Sequence, residues 1–278
     1  MPIYFGSQLI NEARVGTQLY DGYVGSQMVH GKARLPAFTY DGTYEEHPAS
    51  YYGLSGDYTV VAFLSSGTLK MSRAANVDVF IVGGGGGSPS NGVGAGGGYT
   101  NTVKNIEVDT SNINVVIGAG GAANTAGNAS SFAQHSAAGG QSYTTFYNGP
   151  YLCYAGGDGG SGGAANVAGR KNGGNGGSDG SAGAIGDQTY SRPGTGQGTT
   201  TRAFGENSAT LFAGGGGSVP QGSGYSRGLG GTGGGGASAA SGSTDAQAGT
   251  PNTGGGAGGG GGGVIGGGSG IILMRLAQ

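Results

Sequence analysis

The 278-residue chain has no tryptophan, a single cysteine and eight prolines, and charged residues make up only 9% of it. The lone Cys153 excludes an internal disulfide framework. Twelve basic and fourteen acidic residues give a net charge of −2 with no dense run of either sign, which argues against a surface that tracks nucleic-acid phosphates. No apolar stretch nears the roughly 18 residues of a membrane span. No basic start precedes an apolar segment, so neither a span nor a signal peptide is expected. Chemistry is equally scarce. His30, His47 and His135 are scattered, and Glu45-Glu46-His47 reads as a solvated turn rather than a metal or acid–base site. The G-x-G-x-x-G match at 231–236 follows no expected strand and opens no helix. Without a nucleophile–base pair or a P-loop, the chain reads as a non-enzyme with no catalytic residues, no metal and no cofactor.

What the sequence has is glycine, 72 residues of it. Such a composition without a period marks a disordered chain, but here a period exists. Ala155, Asp158, Ser161 and Ala164 fall every third residue, as do Asn172, Asn175 and Ser178, and Leu229 and Thr232 repeat the spacing. Three residues per turn is the repeat of the polyproline II helix, which has no internal hydrogen bonds. Its N–H and C=O groups therefore need partners on neighbouring helices. Neighbours that close admit only glycine on inward rows, and a helix at the edge can carry a side chain on its one outward row. The run 254–263, GGGAGGGGGG, has no such row and is expected at the centre. Replacing Gly259 or Gly260 by Val should then cost several times the ~1 kcal/mol of an ordinary surface change, and replacing Ser161 by Ala little.

The flanks read as strands. Residues 57–82 are rich in Val, Phe and Ile around a Ser-Gly turn, and GIILMRLAQ (270–278) is an apolar strand that needs a sheet to join, with Val77–Val82 and Ile113–Ile117 as candidates. The fold class expected is mainly β and irregular: a small β-sheet or sandwich closed by the C-terminal strand, with an inserted bundle of polyglycine II helices. Ahead of it, IYFGSQLI (3–10), ARVGTQLY (13–20) and GYVGSQMV (22–29) are three copies of one short pattern. They define residues 1–36 as a module of short β repeats for attachment or oligomerisation, distinct from a glycine-rich domain over 37–278.

FIVGGGGG (80–87), YTNTV (99–103), VVIGAGG (115–121), GNASSF (127–132) and GGGSGIILMRL (266–276) resemble the glycine-rich domain of bacteriophage tail fibre and adhesin proteins. The resemblance covers about 57–278, and the N-terminal repeats are similar to short repeats of other phage tail proteins. It implies a virion protein, made in the host cytoplasm, that docks on other tail proteins through residues 1–36. The bundle would sit at a fibre tip as part of an oligomer and meet a bacterial receptor, a glycan or an outer-membrane protein, with the loops at one end. Alternating the runs away from and towards the sheet puts 88–93, 122–138, 164–172 and 218–227 at the far end, and 141–155, 181–213 and 237–253 beside the sheet. The candidate receptor-binding residues are then Ser88, Asn91, Arg170, Lys171, Asn172, Val219, Tyr225 and Arg227. The aromatic segment YTTFYNGPYLCY (143–154) is expected as a hairpin covering the core. Two other readings stand beside this one: a structural fibre, collar or head protein, and an ice-binding protein, since period-three polyglycine bundles also resemble a glycine-rich antifreeze scaffold.

Overall fold

The computed structural model describes residues 35–88, 90–148, 150–165, 172–186, 192–198, 201–260 and 265–277, together with the backbone of six short strands ahead of them. Those are β1 (Ile3–Phe5), β2 (Gln8–Ile10), β3 (Ala13–Val15), β4 (Gln18–Tyr20), β5 (Tyr23–Val24) and β6 (Gln27–Met28). They pair two by two, with Phe5 opposite Gln8, Val15 opposite Gln18 and Val24 opposite Gln27. Each copy of the repeat is thus one hairpin, with its glutamine opening the second strand.

The rest is built on two antiparallel sheets. One contains β8 (Tyr44–Pro48), β9 (Thr59–Phe63), β11 (Ala75–Val82), β12 (Thr100–Val108) and β18 (Ile271–Leu276), in the order β12-β11-β18-β9-β8. The other contains β7 (Phe38–Tyr40), β10 (Gly67–Met71), β13 (Asn112–Val116), β14 (Ser130–Phe132) and β15 (His135–Ala137), in the order β15-β14-β13-β10-β7. The C-terminal strand lies in the middle of its sheet, with Ile271–Leu276 opposite Val82–Val77 and Ile272–Met274 opposite Phe63–Val61. Every residue of β18 is buried, as expected of a continuous apolar run with layers on both faces. The INVVI segment does not join it. There Ile113 and Val115 are buried between exposed Asn112 and Asn114, a one-sided alternation that suits an outer layer, and the strand pairs with β10 and β14.

Between the sheets lie Phe63, Leu69, Met71, Val79, Ile81, Phe132 and Met274, all at most 1% exposed. At about 1.5–3 kcal/mol for each large side chain, this is the main apolar contribution. A second cluster covers the other face of the β18 sheet, where Phe80, Val82 and Leu273 meet Tyr52, Phe204 and Phe212.

The glycine runs leave from the end of β11. Gly83 and Gly86 N–H groups donate to Tyr99 and Gly96, those of Gly84 and Gly87 to Asn128 and Thr125, and those of Gly85 and Ser88 to Gly268 and Ile265. Every third residue returns to the same neighbour, which is the threefold screw of a polyglycine II helix. The run 94–99 repeats this, bonding in turn to 161–164, 254–257 and 138–141. The run 254–260 is surrounded as expected, with hydrogen bonds to Gly86, Ala95, Gly214, Gly236, Gln247 and Gly268 on six neighbouring segments. A Cβ added to any of Gly83–Gly87 would run into a backbone carbonyl of a neighbour.

Three expectations change. Ser161 is fully buried and its Oγ accepts the Gly180 N–H at 3.3 Å. The phase 155–164 crosses a reversal, because 157–160 runs alongside 94–97 in the same direction and 161–164 runs back against it. Gly260 is less confined than its place in the run suggests, since an added Cβ would press only on side chains, the nearest being Ala246 Cβ at 3.1 Å, whereas at Gly259 it would meet the Gly92 and Val93 carbonyls. The outward rows Asn172/Asn175 and Leu229/Thr232 are exposed as expected.

Candidate functional site

Two levels of the bundle fix its ends. The sheet end is where Gly83 meets Tyr99 and Gly98 meets Gly254; five residues along, Ser88 meets Ile265 and Val219 N–H donates to Gly92. The loops beyond this second level form the outer end.

Asn91, Asn172, Val219, Tyr225 and Arg227 are gathered there. Val219 lies against Gly92, and Gly173 N–H donates to Ser226 O at 3.0 Å, so the loop after Asn172 touches the 219–227 loop. Arg227 is engaged: its Nη1 lies 3.3 Å from Asp245 Oδ2. The Ala240 N–H and the Ser243 hydroxyl, followed by the Arg227 charge, hold the Asp245 carboxyl below its usual range. Residues 240–246 are therefore an outer-end turn. Their assignment beside the sheet fails, because 236–239 runs outward along 256–259 and 247–250 returns. Ser88 belongs to the interior instead: it is 2% exposed, donates its N–H to Ile265 and accepts that of Asn124. Arg170 and Lys171 lie outside the described residues.

The largest departure concerns YTTFYNGPYLCY. It does form a hairpin, β16 (Tyr143–Asn148) and β17 (Tyr151–Gly156), with Asn148 opposite Tyr151. Instead of covering the core, the hairpin stands on the outer end. Ser142 Oγ, immediately before it, donates to Gly87 O at 2.8 Å, and Gly157 N–H, just after it, donates to Gly94 O. The reason is a reversal the alternation missed. The chain turns at 122–125, returns to the sheet through 126–129, and forms β14 and β15 there, so 138–142 leads outward. Both short legs contain only a glycine or two, too few to show the period.

Tyr147 is 75% exposed, Leu152 48% and Tyr154 39%. Phe146 lies under the Arg192 guanidinium at 5.5 Å, and Tyr143 packs edge-on against Tyr154 at 5.8 Å. The outer end thus offers a small apolar ridge flanked by polar loops. Rings exposed beside a rigid base are the usual anchors of protein contacts. The signal that could have found it was in the sequence: an aromatic strand pair around Asn-Gly-Pro, with too many rings for a turn that merely connects. Among the described residues no group of three or more His, Cys, Asp or Glu could hold a metal ion, and no helix is long and apolar enough to cross a membrane.

A two-sheet base, a backbone-bonded glycine lattice and a set of loops at its outer end define a glycine-rich β protein. The chain belongs to the glycine-rich domain family, which matches residues 64–277. No curated protein and no solved structure matches it.

Proposed function

We propose that the protein is a bacteriophage virion component, placed at a tail fibre tip, that attaches to the bacterial surface through the outer end of its glycine bundle. The observation that carries this reading is the exposed ridge of Tyr147, Leu152 and Tyr154 on the same end as the 219–227 loop. A lattice whose rows are locked by backbone hydrogen bonds lowers the ordering cost of the loops it carries, which is what a receptor-binding tip requires. The sequence resemblance to phage tail fibre and adhesin domains supplies the biological setting, and the hairpin repeats before residue 35 supply an attachment module for other tail proteins.

Replacing Tyr147 and Leu152 together by serine is expected to reduce adsorption to host cells by at least tenfold, about 1.4 kcal/mol, with the unfolding temperature unchanged. Tyr225→Ala is expected to have a smaller effect, because Tyr225 is only 38% exposed. Unaltered adsorption of the Tyr147/Leu152 variant would remove the ridge as the contact surface. Antibody labelling of the C-terminal region on virions tests the location: signal at fibre tips supports the reading, and signal on the head replaces it with a structural fibre.

A further inference from the structure

At the opposite end, where the bundle meets the β18 sheet, lies a cavity of about 410 Å³ between the edge strand β8, the 3₁₀ turn Ala49–Tyr52 and the loops at 210–212 and 252. The reading above makes no use of it. Its walls are aromatic. The Tyr51 and Tyr52 rings stand almost perpendicular, 5.0 Å apart at 83°, and the Phe212 ring lies 6.3 Å from that of Tyr52. The His47 ring stacks on Tyr51 at 3.9 Å and 9°, bracing it. Glu45 also lines the cavity, with Oε2 2.8 Å from His47 Nε2 and its side chain 56% exposed. Thr210 and Asn252 add polar groups, and no lysine or arginine is among the lining residues. The Asn252 carboxamide is fixed by the Ser269 hydroxyl, which donates to its Oδ1 at 3.0 Å.

We propose that this cavity binds an organic ammonium group. Aromatic faces carry negative charge density that attracts cations, most strongly where water is partly excluded. Glu45 supplies the counter-charge from one side, and the half-open space falls in the size range of small-ligand sites. A neutral sugar would draw on the Asn252 amide and the Thr210, Tyr51 and Tyr52 hydroxyls but would leave the Glu45 charge without a partner of opposite sign from the ligand. The ammonium could be carried by a choline headgroup or by a lysine side chain; both share the chemistry, and the test separates them.

The full-length protein is titrated calorimetrically with choline chloride, Nα-acetyl-lysine methylamide, the uncharged choline analogue 3,3-dimethylbutan-1-ol, and methyl β-glucoside. One of the two cations is expected to bind at least tenfold more tightly than the uncharged analogue. Glu45→Gln and Tyr51→Ala are each expected to weaken that binding about tenfold, without lowering the unfolding temperature, since both side chains are exposed. Preference for choline assigns a headgroup, and preference for the lysine derivative assigns a protein side chain. Equal affinity for the uncharged analogue, preference for the glucoside, or no saturable binding overturns the proposal. Each of these results is independent of adsorption.

Discussion

Replacing Gly259 by alanine is expected to collapse the bundle, while the same replacement at Gly260 is expected to leave it standing. The two glycines are adjacent in one uninterrupted run. Gly259 donates its N–H to Gly217 O and accepts that of Ala239, and an added methyl carbon would lie 2.6 Å from the Val93 carbonyl oxygen and closer still to that of Gly92. Neither obstacle is the mobile end of a side chain. Both are backbone groups, and the Gly92 carbonyl already accepts the Val219 N–H, so relief requires a whole helix to shift, at a cost of ~4 kcal/mol or more. Gly260 faces Ala246 Cβ, Ser88 Oγ and Ile265 Cδ1 at 3.1, 3.5 and 3.6 Å. There the tight contact is balanced by the roughly 0.4–1 kcal/mol gained when alanine restricts the unfolded chain. Chemical unfolding of the two variants checks the lattice directly, and equal midpoints would contradict it.

The second large effect is expected at Arg275. This side chain on β18 is 3% exposed, sits opposite Asp78 in the sheet, and places Nε 3.3 Å from Asp78 Oδ2. Its Nη1 donates to Glu206 Oε1 at 2.6 Å and to the Tyr58 hydroxyl at 2.5 Å, and its guanidinium lies 4.2 Å from the centre of the Phe204 ring. Arg275→Met keeps much of the volume but leaves Asp78, 2% exposed, without its counter-charge. Breaking one side of a buried pair costs about 3–5 kcal/mol. The same cluster predicts acid sensitivity. Burial pushes the Glu206 carboxyl up, but hydrogen bonds from Arg275 and Ser55 together with the Arg275 charge outweigh it and hold the group below its usual 4.5. A carboxyl lowered by folding stabilises the protein fully above the unfolded value, and this contribution disappears as pH falls through the folded value. Urea midpoints measured from neutral to acid pH should therefore decline less steeply in Glu206→Gln than in the parent.

These residues show what could be read in advance. The central helix, the exposed Asn172/Asn175 row and the C-terminal strand were legible because each depends on a local period or on one continuous apolar run. The positions of Ser161 and of the Tyr147 hairpin were not. Both depend on how many times the chain reverses, and reversals at 122–125 and 160–161 involve no proline or long polar loop to mark them. The Arg275 cluster is non-local too: it joins residues 58, 78, 206 and 275, whose proximity no sequence spacing encodes. For the outer end, the sequence placed the 219–227 loop there and put the Tyr147 hairpin at the opposite end.

The lattice also has a calorimetric consequence. Its interior is made of peptide groups and glycine Cα atoms, so unfolding it exposes polar backbone rather than hydrocarbon. Apolar exposure raises the heat capacity and polar exposure lowers it, and the bundle should therefore add little to the ~12–15 cal/mol/K per residue of an ordinary domain. A protein with that property has a flat dependence of stability on temperature. It loses little in the cold, where structures held mainly by hydrocarbon burial begin to weaken.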